Sequence, residues 1–423
     1  MLIQFRFNNF KSFKNEVALD LSSTKITEFS ERVISYAGER ILPLAVIYGA
    51  NASGKSNVYD ALQYMASYVL HSFSYGDTDG NIEYIDRMPK PFMFSEDSRN
   101  ADSTFEVFFT MEESRKEYVY NYGFSIGKDG VSEEWLNRKA KTSNKYRSIF
   151  YRSKSEIDLK GLPDKSGVII KIALNKQTLI VSLGAKLKVK QCKEIYDWFR
   201  DIEFADFANI AASRVLFDTL PGGFVDDSSV RSNVVDYLSS FDSSIRDFVI
   251  EEVETEGQRS SRYKVDAVHK SADSEAYYNI PFREESAGTL KMFALYPQLA
   301  AVLSKGSLFF VDELNARLHP LLVRNIMLLF LNPEINTNHA QLVFTSHDTW
   351  QLSNNLLRRD EIWFTEKDEN GISDLYSLSD FEDENGARIR KDESYEKNYL
   401  FGKYGAIPVL SEIKLNRRGK IDV

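Results

Sequence analysis

The chain has 423 residues, of which 43% are hydrophobic and 27% charged, and its formal net charge is −9. This composition argues against disorder and against a surface covered with phosphate-neutralising lysines, and the length allows two joined lobes with a sizeable core. Cys192 is the single cysteine, so no internal disulfide can form. There is no secretory signal and no apolar run of about 20 residues, and we therefore expect a cytoplasmic protein without membrane spans.

The N-terminal part predicts strands that lead into a glycine-rich loop. Ile3, Phe5 and Phe7 alternate with polar residues, as in a half-buried strand. Residues 44–48 are all apolar, which indicates a strand buried on both faces. After the loop, residues 57–70 carry one apolar stripe at helical spacing.

The alternating pattern of residues 103–136 predicts an antiparallel β lobe. Apolar residues alternate with polar ones at 105–109 and 118–126. The turn Lys128-Asp129-Gly130 then closes a hairpin.

Residues 137–260 resemble an insertion of mixed structure. Short strands are expected over 167–173 and 177–182, and helices over 188–201 and 228–254. No apolar heptad continues over several repeats, so a long coiled coil is not expected.

Alternation of strands and helices returns after residue 277. Apolar strands are expected over 308–311 and 342–345, with a helix over 320–331 between them. A helix over 290–303 precedes them.

The phosphate-loop pattern is complete in Gly49-Ala50-Asn51-Ala52-Ser53-Gly54-Lys55-Ser56. Its glycines allow a tight turn whose N–H groups face phosphate oxygens, and the helix that follows adds a partial positive charge. Lys55 would reach the β and γ phosphates of a triphosphate, and the Ser56 hydroxyl would bind Mg²⁺.

An acidic pair, Asp312 and Glu313, follows the strand at 308–311. Ligands of α/β folds bind at the carboxyl edge of the sheet, so both carboxylates would lie beside the phosphate loop. Asp312 would hold the Mg²⁺ shell, and Glu313 would polarise the attacking water.

Two weaker features complete the set. His347 follows the strand at 342–345 and could reach the γ-phosphate or the water, although a histidine in this position is often structural. Ser286 and Gly288 precede the helix at 290–303, either as an anion-binding element or as an ordinary helix cap.

In this order the motifs resemble the ATP-binding-cassette heads of the SMC and RecF class. The opening Asn9-Phe10-Lys11-Ser12, the signature Ser286-Ala287-Gly288-Thr289 and the D-loop Leu318-His319-Pro320 carry the resemblance. It implies an α/β P-loop NTPase, an ABC/SMC-type ATPase head with an antiparallel β lobe and a mixed, largely helical insertion. The head would comprise 1–136 and 261–385, with the insertion at 137–260 and a tail at 386–423.

The chain also resembles the compact bacterial ATPases of the AAA ATP-binding class in anti-phage and abortive-infection systems, of the RloA/AbiLi kind. The tail segment 399–408 looks like the closing motif of that group. Asn315 and Arg317 depart from its Asp-Glu-Leu-Asp-x-Ser-Leu-His-Pro pattern.

The resemblance implies ATP and Mg²⁺ as cofactors and a homodimer, or a higher even oligomer, that sandwiches ATP between the loop of one chain and the signature of the other. Lys55, Glu313 and His347 would be catalytic. The nucleotide would contact the following residues: Gly49 to Ser56 of the loop, Asn57, Lys11, Ser12, Ser286 and Gly288.

Three functions are compatible with these features. The first is a sensor or scaffold in phage defence that regulates a separate effector, a nuclease or toxin, because too few residues follow His347 for an appended TOPRIM nuclease domain. The second is a DNA-repair ATPase that binds nucleic acid through the run Arg138, Lys139, Lys141, Lys145, Arg147, Arg152 and Lys154, with Tyr146, Phe150 and Tyr151 interleaved. The acidic net charge of the chain favours another interpretation of that run, as the solvated basic face of two strands. The third is a protein-binding module that nucleotide only stabilises.

Overall fold

The structure, a computed structural model, describes residues 1–75, 88–208, 220–253, 262–382 and 389–408. The strands in these ranges are β1 (Leu2–Asn8), β2 (Val17–Asp20), β3 (Ile34–Tyr36), β4 (Glu39–Ile41), β5 (Leu44–Gly49), β6 (Ser103–Glu113), β7 (Lys116–Gly127), β8 (Gly130–Ala140), β9 (Arg147–Arg152), β10 (Ile157–Asp158), β11 (Glu203–Asp206), β12 (Ile245–Val253), β13 (Arg262–Lys270), β14 (Tyr277–Pro281), β15 (Leu308–Asp312), β16 (Gln341–Thr345), β17 (Ile362–Lys367) and β18 (Ser373–Ser377).

The α-helices of the same ranges are α1 (Lys55–His71), α2 (Glu96–Asn100), α3 (Asp164–Ala173), α4 (Ile180–Lys186), α5 (Lys190–Arg200), α6 (Ser228–Ser239), α7 (Ala287–Lys305), α8 (Pro320–Leu331) and α9 (Tyr395–Leu400). Short 3₁₀ turns lie at Ser30–Arg32, Ser72–Tyr75, Phe282–Glu284, Thr349–Gln351 and Arg359–Glu361.

A six-stranded sheet in the order β11-β15-β16-β5-β17-β18 lies at the centre of the fold. All neighbouring pairs are parallel except β17 with β18. The strands β5, β15 and β16 are buried along their whole length, as their continuous apolar sequences predict. Because parallel strands end at the same edge, Gly49, Asp312 and Thr345 come together there.

The predicted β lobe is a second sheet of seven strands, in the order β10-β9-β8-β7-β6-β1-β2, with antiparallel pairing throughout. Helix α1 packs between the two sheets. Its Tyr59 ring lies 5.3 Å from Phe310 of the central sheet, and its Tyr64 ring lies 5.1 Å from Phe105 of the lobe. The phosphate loop at the start of α1 is therefore held by both sheets.

The predicted strand over 167–173 is wrong, because these residues belong to helix α3. The helix begins directly after Pro163, a residue whose fixed φ suits a helix start. Val168, Ile169 and Ile172 have exposed fractions of 59%, 49% and 81%, so this apolar run is not one face of a buried strand. A short run of β-branched residues does not distinguish the two structures.

The predicted strand over 177–182 is also wrong, because helix α4 begins at Ile180. The carboxylate of Glu134, in the β lobe, accepts the N–H groups of Ile180 at 2.6 Å and Val181 at 3.1 Å. This cap comes from a residue 46 positions earlier in the chain, so local sequence could not show it.

The helix predicted over 228–254 covers two elements. Helix α6 ends at Ser239 and strand β12 follows at Ile245 in a three-stranded sheet with β13 and β14. Residue 254 lies outside the described ranges, as do parts of the tail at 386–423. Helix α5 lies within the predicted helix at 188–201. The division into four parts stays a prediction, and β11 of the expected insertion lies in the central sheet.

Candidate functional site

The loop between β5 and α1 has a shape that two glycines make possible. Gly54 has a φ of +120°, and a Cβ there would lie 2.8 Å from Oγ of Ser373. A Cβ on Gly49 would lie 2.5 Å from the carbonyl oxygen of Thr365. Both positions therefore exclude a side chain, and Ala52 between them adopts a left-handed φ of +63°.

Strands β17 and β18 brace the loop from behind. The hydroxyls of Ser53 and Thr365 are 2.6 Å apart, and the Ser373 hydroxyl donates to the Ser53 carbonyl at 2.6 Å. Neither Thr365 nor Ser373 was a candidate from the sequence. Both lie more than 300 residues from the loop, and no local pattern marks them.

The ammonium group of Lys55 lies over the loop and donates to the carbonyls of Gly49 and Ala50, each at 2.9 Å. Burial lowers the pKa of Lys55 to about 8, and the nearby carboxylates of Glu313 and Asp312 act in the opposite direction. Lys55 therefore keeps most of its charge at neutral pH. Helix α1 has no acidic residue in its first turn, so the partial positive charge of its N-terminus is not offset.

The opening motif lies against the loop. The Ser12 hydroxyl accepts from the Asn57 amide at 2.7 Å, and its oxygen lies 2.7 Å from the oxygen of the Ser373 hydroxyl. The ammonium group of Lys11 pairs with Asp60 on α1. Ser12 and Asn57 thus hold the loop in place, and Lys11 lies beside the helix that the loop begins.

Asp312 and Ser56, the two expected magnesium ligands, are neighbours. Burial raises the pKa of Asp312, whereas hydrogen bonds from Thr345 and Ser56 lower it. Mg²⁺ usually keeps several waters and takes only one or two protein ligands beside substrate phosphates. The pair fits that pattern, and no cluster of three or more His, Cys, Asp or Glu able to hold a metal occurs in the described ranges.

Glu313 faces His347 at the same edge. Nε2 of His347 lies 3.4 Å from Oε1 of Glu313. Burial and the charge of Lys55 lower the pKa of His347, with Glu313 opposing them, so the imidazole is mainly neutral at neutral pH. Glu313 has a left-handed φ of +53°, a strained conformation of the kind that occurs at functional sites.

Thr345 and Asn315 position these groups. The Thr345 hydroxyl donates to Asp312 at 2.6 Å and accepts the Glu313 amide at 2.8 Å. The Asn315 side-chain oxygen accepts from the His347 amide at 3.3 Å and from the Ser346 hydroxyl at 3.1 Å. Asn315, one of the two departures from the resembled pattern, thus holds the histidine segment.

Ser286 is the N-cap of helix α7. Its hydroxyl accepts from the Thr289 amide at 3.1 Å, and Gly288 beside it is open, because the nearest atom to an added Cβ is Oγ of Ser286 at 3.7 Å. Within the described ranges no hydrogen bond joins Ser286 or Gly288 to the phosphate loop. Ser286 therefore caps the helix, and the helix N-terminus beside Gly288 stays open to an anion.

The basic run on β8 and β9 does not form one open face. Ion pairs join Lys139 to Glu39 at 2.7 Å and Lys141 to Glu117 at 2.9 Å. Arg152 is buried and donates to backbone carbonyls. Arg138 of the same run pairs with Glu113, and the interleaved Phe150 is buried. The exposed basic residues are Lys145, Arg147 and Lys154.

In the central sheet the acidic strand β15 lies two positions from the loop strand β5. This strand order, together with the phosphate loop, the acidic pair and the buried Lys55, defines a P-loop NTPase. The chain belongs to the family described as "AAA domain, putative AbiEii toxin, Type IV TA system", whose model matches residues 44–349. Residues 44–349 are therefore an AAA domain.

Other comparisons add little to this assignment. The crystal structure of "the SmcHead bound to the C-winged helix domain of ScpA" is similar with a TM-score of 0.40 and 14% identity, over 89% of this chain and 97% of that chain. No protein of curated function matches the chain. None of the helices in the described ranges is long and apolar enough to cross a membrane.

Proposed function

We propose that the chain binds ATP with Mg²⁺ at the carboxyl edge of the central sheet and hydrolyses it. The observation that carries the proposal is the convergence of Lys55, the Asp312–Ser56 pair and the Glu313–His347 pair at that one edge. The loop amides and Lys55 bind the phosphates. Ser56 and Asp312 would hold Mg²⁺, which neutralises charge on the phosphate oxygens when it is bound.

Glu313 is the proposed general base. Its carboxylate lies beside the neutral imidazole of His347, so it can accept a proton from water, and His347 can hold that water or a phosphate oxygen by a hydrogen bond. Lys55 places its charge near both acids. The arrangement therefore supports in-line attack of water on the terminal phosphate.

Phosphate release in the presence of Mg²⁺ tests this activity. Lys55→Ala and Glu313→Gln should each reduce it by about a hundredfold or more. Glu334→Gln, which changes an exposed carboxylate next to α8, is the matched control and should keep full activity. Unchanged hydrolysis in Glu313→Gln would remove the basis of the proposal.

The second part of the proposal is that two chains share each nucleotide, as in the ABC/SMC-type heads that the motifs resemble. Support comes from the open N-terminus at Ser286 and Gly288, which has no hydrogen bond to the loop of its own chain in the described ranges. A phosphate bound by the loop of one chain could be closed by this helix of another. Nucleotide would then hold a homodimer, or a higher even oligomer, together.

Mixing two inactive variants tests a shared site. Lys55→Ala lacks a working loop but keeps the helix cap, whereas Gly288→Glu keeps the loop and places a carboxylate where the partner's phosphate would lie. The two chains together restore one complete site, so hydrolysis should return on mixing. A mixture as inactive as its components would show that each chain works alone.

The third part concerns the biological role. The family description associates AAA domains with an AbiEii toxin and a type IV toxin–antitoxin system. We infer that this chain, like the RloA/AbiLi kind it resembles, is a sensor or scaffold that regulates a separate effector, a nuclease or toxin, in phage defence. Deletion of the gene in its native host should lower phage resistance, and a neighbouring gene product should co-purify. Failure of both would count against this role, although not against hydrolysis.

A further inference from the structure

A buried lysine lies between the helix cap and the acidic pair. Lys291 is in the second turn of α7 and is only 5% exposed. Its ammonium group donates to the carbonyl of Ala316 and lies 3.8 Å from the centre of the Phe207 ring. One side chain thus joins three segments: the start of α7, the turn after β15 and the residue that follows β11.

The buried position of Lys291 disfavours the charged form of its ammonium group. Burial and the charge of Arg317 lower its pKa to about 8, although Glu313 acts in the opposite direction. Among the described residues no carboxylate lies within ion-pair distance of Lys291. A methionine or leucine would fill this space without the cost of removing a charge from water. We therefore attribute the role of Lys291 to the contacts that its ammonium group makes with the Ala316 carbonyl and the Phe207 ring.

The turn that Lys291 holds carries Glu313. The Ala316 amide donates to the Glu313 carbonyl at 2.8 Å, and Ala316 is the residue whose own carbonyl Lys291 contacts. Glu313 and Arg317, on either side of it, have left-handed φ values of +53° and +60°. Two such residues in one turn are strained, and they keep this conformation only where surrounding contacts impose it.

On its other side, Lys291 is linked through helix α7 to the cap at Ser286. Lys291 lies three residues after Gly288, one turn further along the same helix. A rigid helix turn passes a shift of its N-terminus directly to the Lys291 side chain. The contacts therefore form an unbroken path from Gly288 through Lys291 and Ala316 to Glu313.

We propose that Lys291 is a positioning residue that couples the cap of α7 to the turn of Glu313, so that phosphate bound at Ser286–Gly288 places the general base for attack. This inference rests on the proposed ATPase activity. It assigns to Lys291 a task in the rate of hydrolysis and none in the binding of nucleotide to the loop.

Steady-state hydrolysis, nucleotide binding and thermal unfolding of three variants test this role. Lys291→Met keeps the length of the side chain but removes the ammonium group, and kcat should fall about tenfold or more because the base is misplaced. The Kd for ATP should stay within about threefold of wild type, since the loop is intact. Lys291→Arg, which can still donate to Ala316, should recover part of kcat.

Lys305→Met is the matched control. Lys305 is the last residue of α7 and makes a half-exposed ion pair with Asp201 at 3.3 Å, so its loss should leave kcat unchanged. If Lys291→Met does not fold, Phe207→Leu replaces the test, because it keeps an apolar side chain but removes the ring below the ammonium group. It should lower kcat several-fold.

Two outcomes would overturn the inference. One is wild-type kcat in Lys291→Met, or in Phe207→Leu where that variant replaces it. The other is a parallel loss of kcat, ATP affinity and melting temperature without recovery in Lys291→Arg, which would make Lys291 a packing residue only. Glu313→Gln separates the two proposals: if it is inactive while Lys291→Met is fully active, only the coupling is refuted, and if it too is active, the ATPase proposal fails.

Discussion

The hydroxyl of Thr345 donates a hydrogen bond to Oδ1 of Asp312 at 2.6 Å. The oxygen of the Thr345 hydroxyl also accepts the backbone amide of Glu313 at 2.8 Å, so one side chain on β16 fixes both acids at the end of β15. Because Asp312 is almost fully buried, this bond also offsets part of the cost of its charge. The acidic pair is thus positioned by the neighbouring strand as well as by its own.

Thr345→Val should separate the effect of the two Thr345 hydrogen bonds from the effect of its packing. Valine has nearly the same shape but leaves the carboxylate of Asp312 and the amide of Glu313 without their partner. We expect hydrolysis to fall about tenfold or more and the free energy of unfolding to fall by about 1–3 kcal/mol. Phosphate release and chemical denaturation measure the two effects.

Thr345→Ser is the control, since it keeps the hydroxyl and loses only a methyl group. Its activity should stay close to that of wild type. Equal loss of activity in the valine and serine variants would show that the methyl group, and not the hydrogen bonds, is what the site needs.

The chemistry of the site follows from local sequence more directly than its architecture does. The phosphate loop, the acids at 312–313 and His347 were all predicted, because each motif follows an apolar run that could only be a buried strand. The order of those strands was not predicted. Periodicity tells which residues are buried, but it does not tell which strands are neighbours.

The errors have a common physical cause. In 164–173 and 180–186 the apolar runs are short and do not distinguish a strand from a helix. For 180–186 the cap from Glu134, a distant residue, favours the helix, and the support of the phosphate loop by Ser373 is a contact of the same long-range kind. Bonds of this kind join residues far apart in sequence and become visible only once the chain is folded.

Gly54→Ala tests whether the loop needs its left-handed backbone. An added Cβ would lie 2.8 Å from Oγ of Ser373 and 3.2 Å from Cε2 of Phe13, at a φ of +120° that a side chain disfavours. The loop must shift to relieve these contacts, and its amides then no longer face one point. ATP affinity measured by calorimetry should fall at least about tenfold.

Gly222→Ala serves as the comparison for that variant. No atom lies within 4 Å of a Cβ at Gly222, which is exposed. Its ATP affinity and melting temperature should equal those of wild type. If Gly54→Ala binds ATP as well as Gly222→Ala does, the strained loop geometry is not required for binding.

Asn315 departs from the aspartate of the resembled pattern, and its contacts predict which substitutions it tolerates. Its side-chain oxygen only accepts hydrogen bonds, from the His347 amide and the Ser346 hydroxyl. Asn315→Asp keeps that acceptor, so hydrolysis should stay within a few-fold of wild type. Asn315→Ala removes it and releases the histidine segment, so kcat should fall about tenfold. Similar kcat values for the two variants would contradict this role for the oxygen.

Glu361 predicts how stability depends on pH. It is fully buried: Oε2 accepts the Arg358 amide at 2.9 Å, and Oε1 has no hydrogen-bond partner within the described ranges. Burial raises the pKa of Glu361 to about 8, above its usual 4.5, with the Arg358 amide opposing and the charge of Asp360 adding to the shift. The folded state therefore holds this proton more tightly than the unfolded state. The stability it contributes is complete below pH 4.5 and is lost as the pH rises to about 8.

Glu361→Gln removes that loss, because a glutamine keeps the accepting oxygen and carries no charge at any pH. Wild type should lose up to about 1.4 kcal/mol per pH unit relative to the variant across this interval. Melting temperatures of the two proteins should thus be similar near pH 5 and should diverge in favour of the variant by pH 8. Glu369→Gln, in the exposed turn before β18, should follow wild type at every pH. Parallel curves for wild type and Glu361→Gln would mean that the Glu361 carboxyl does not take up its proton on folding.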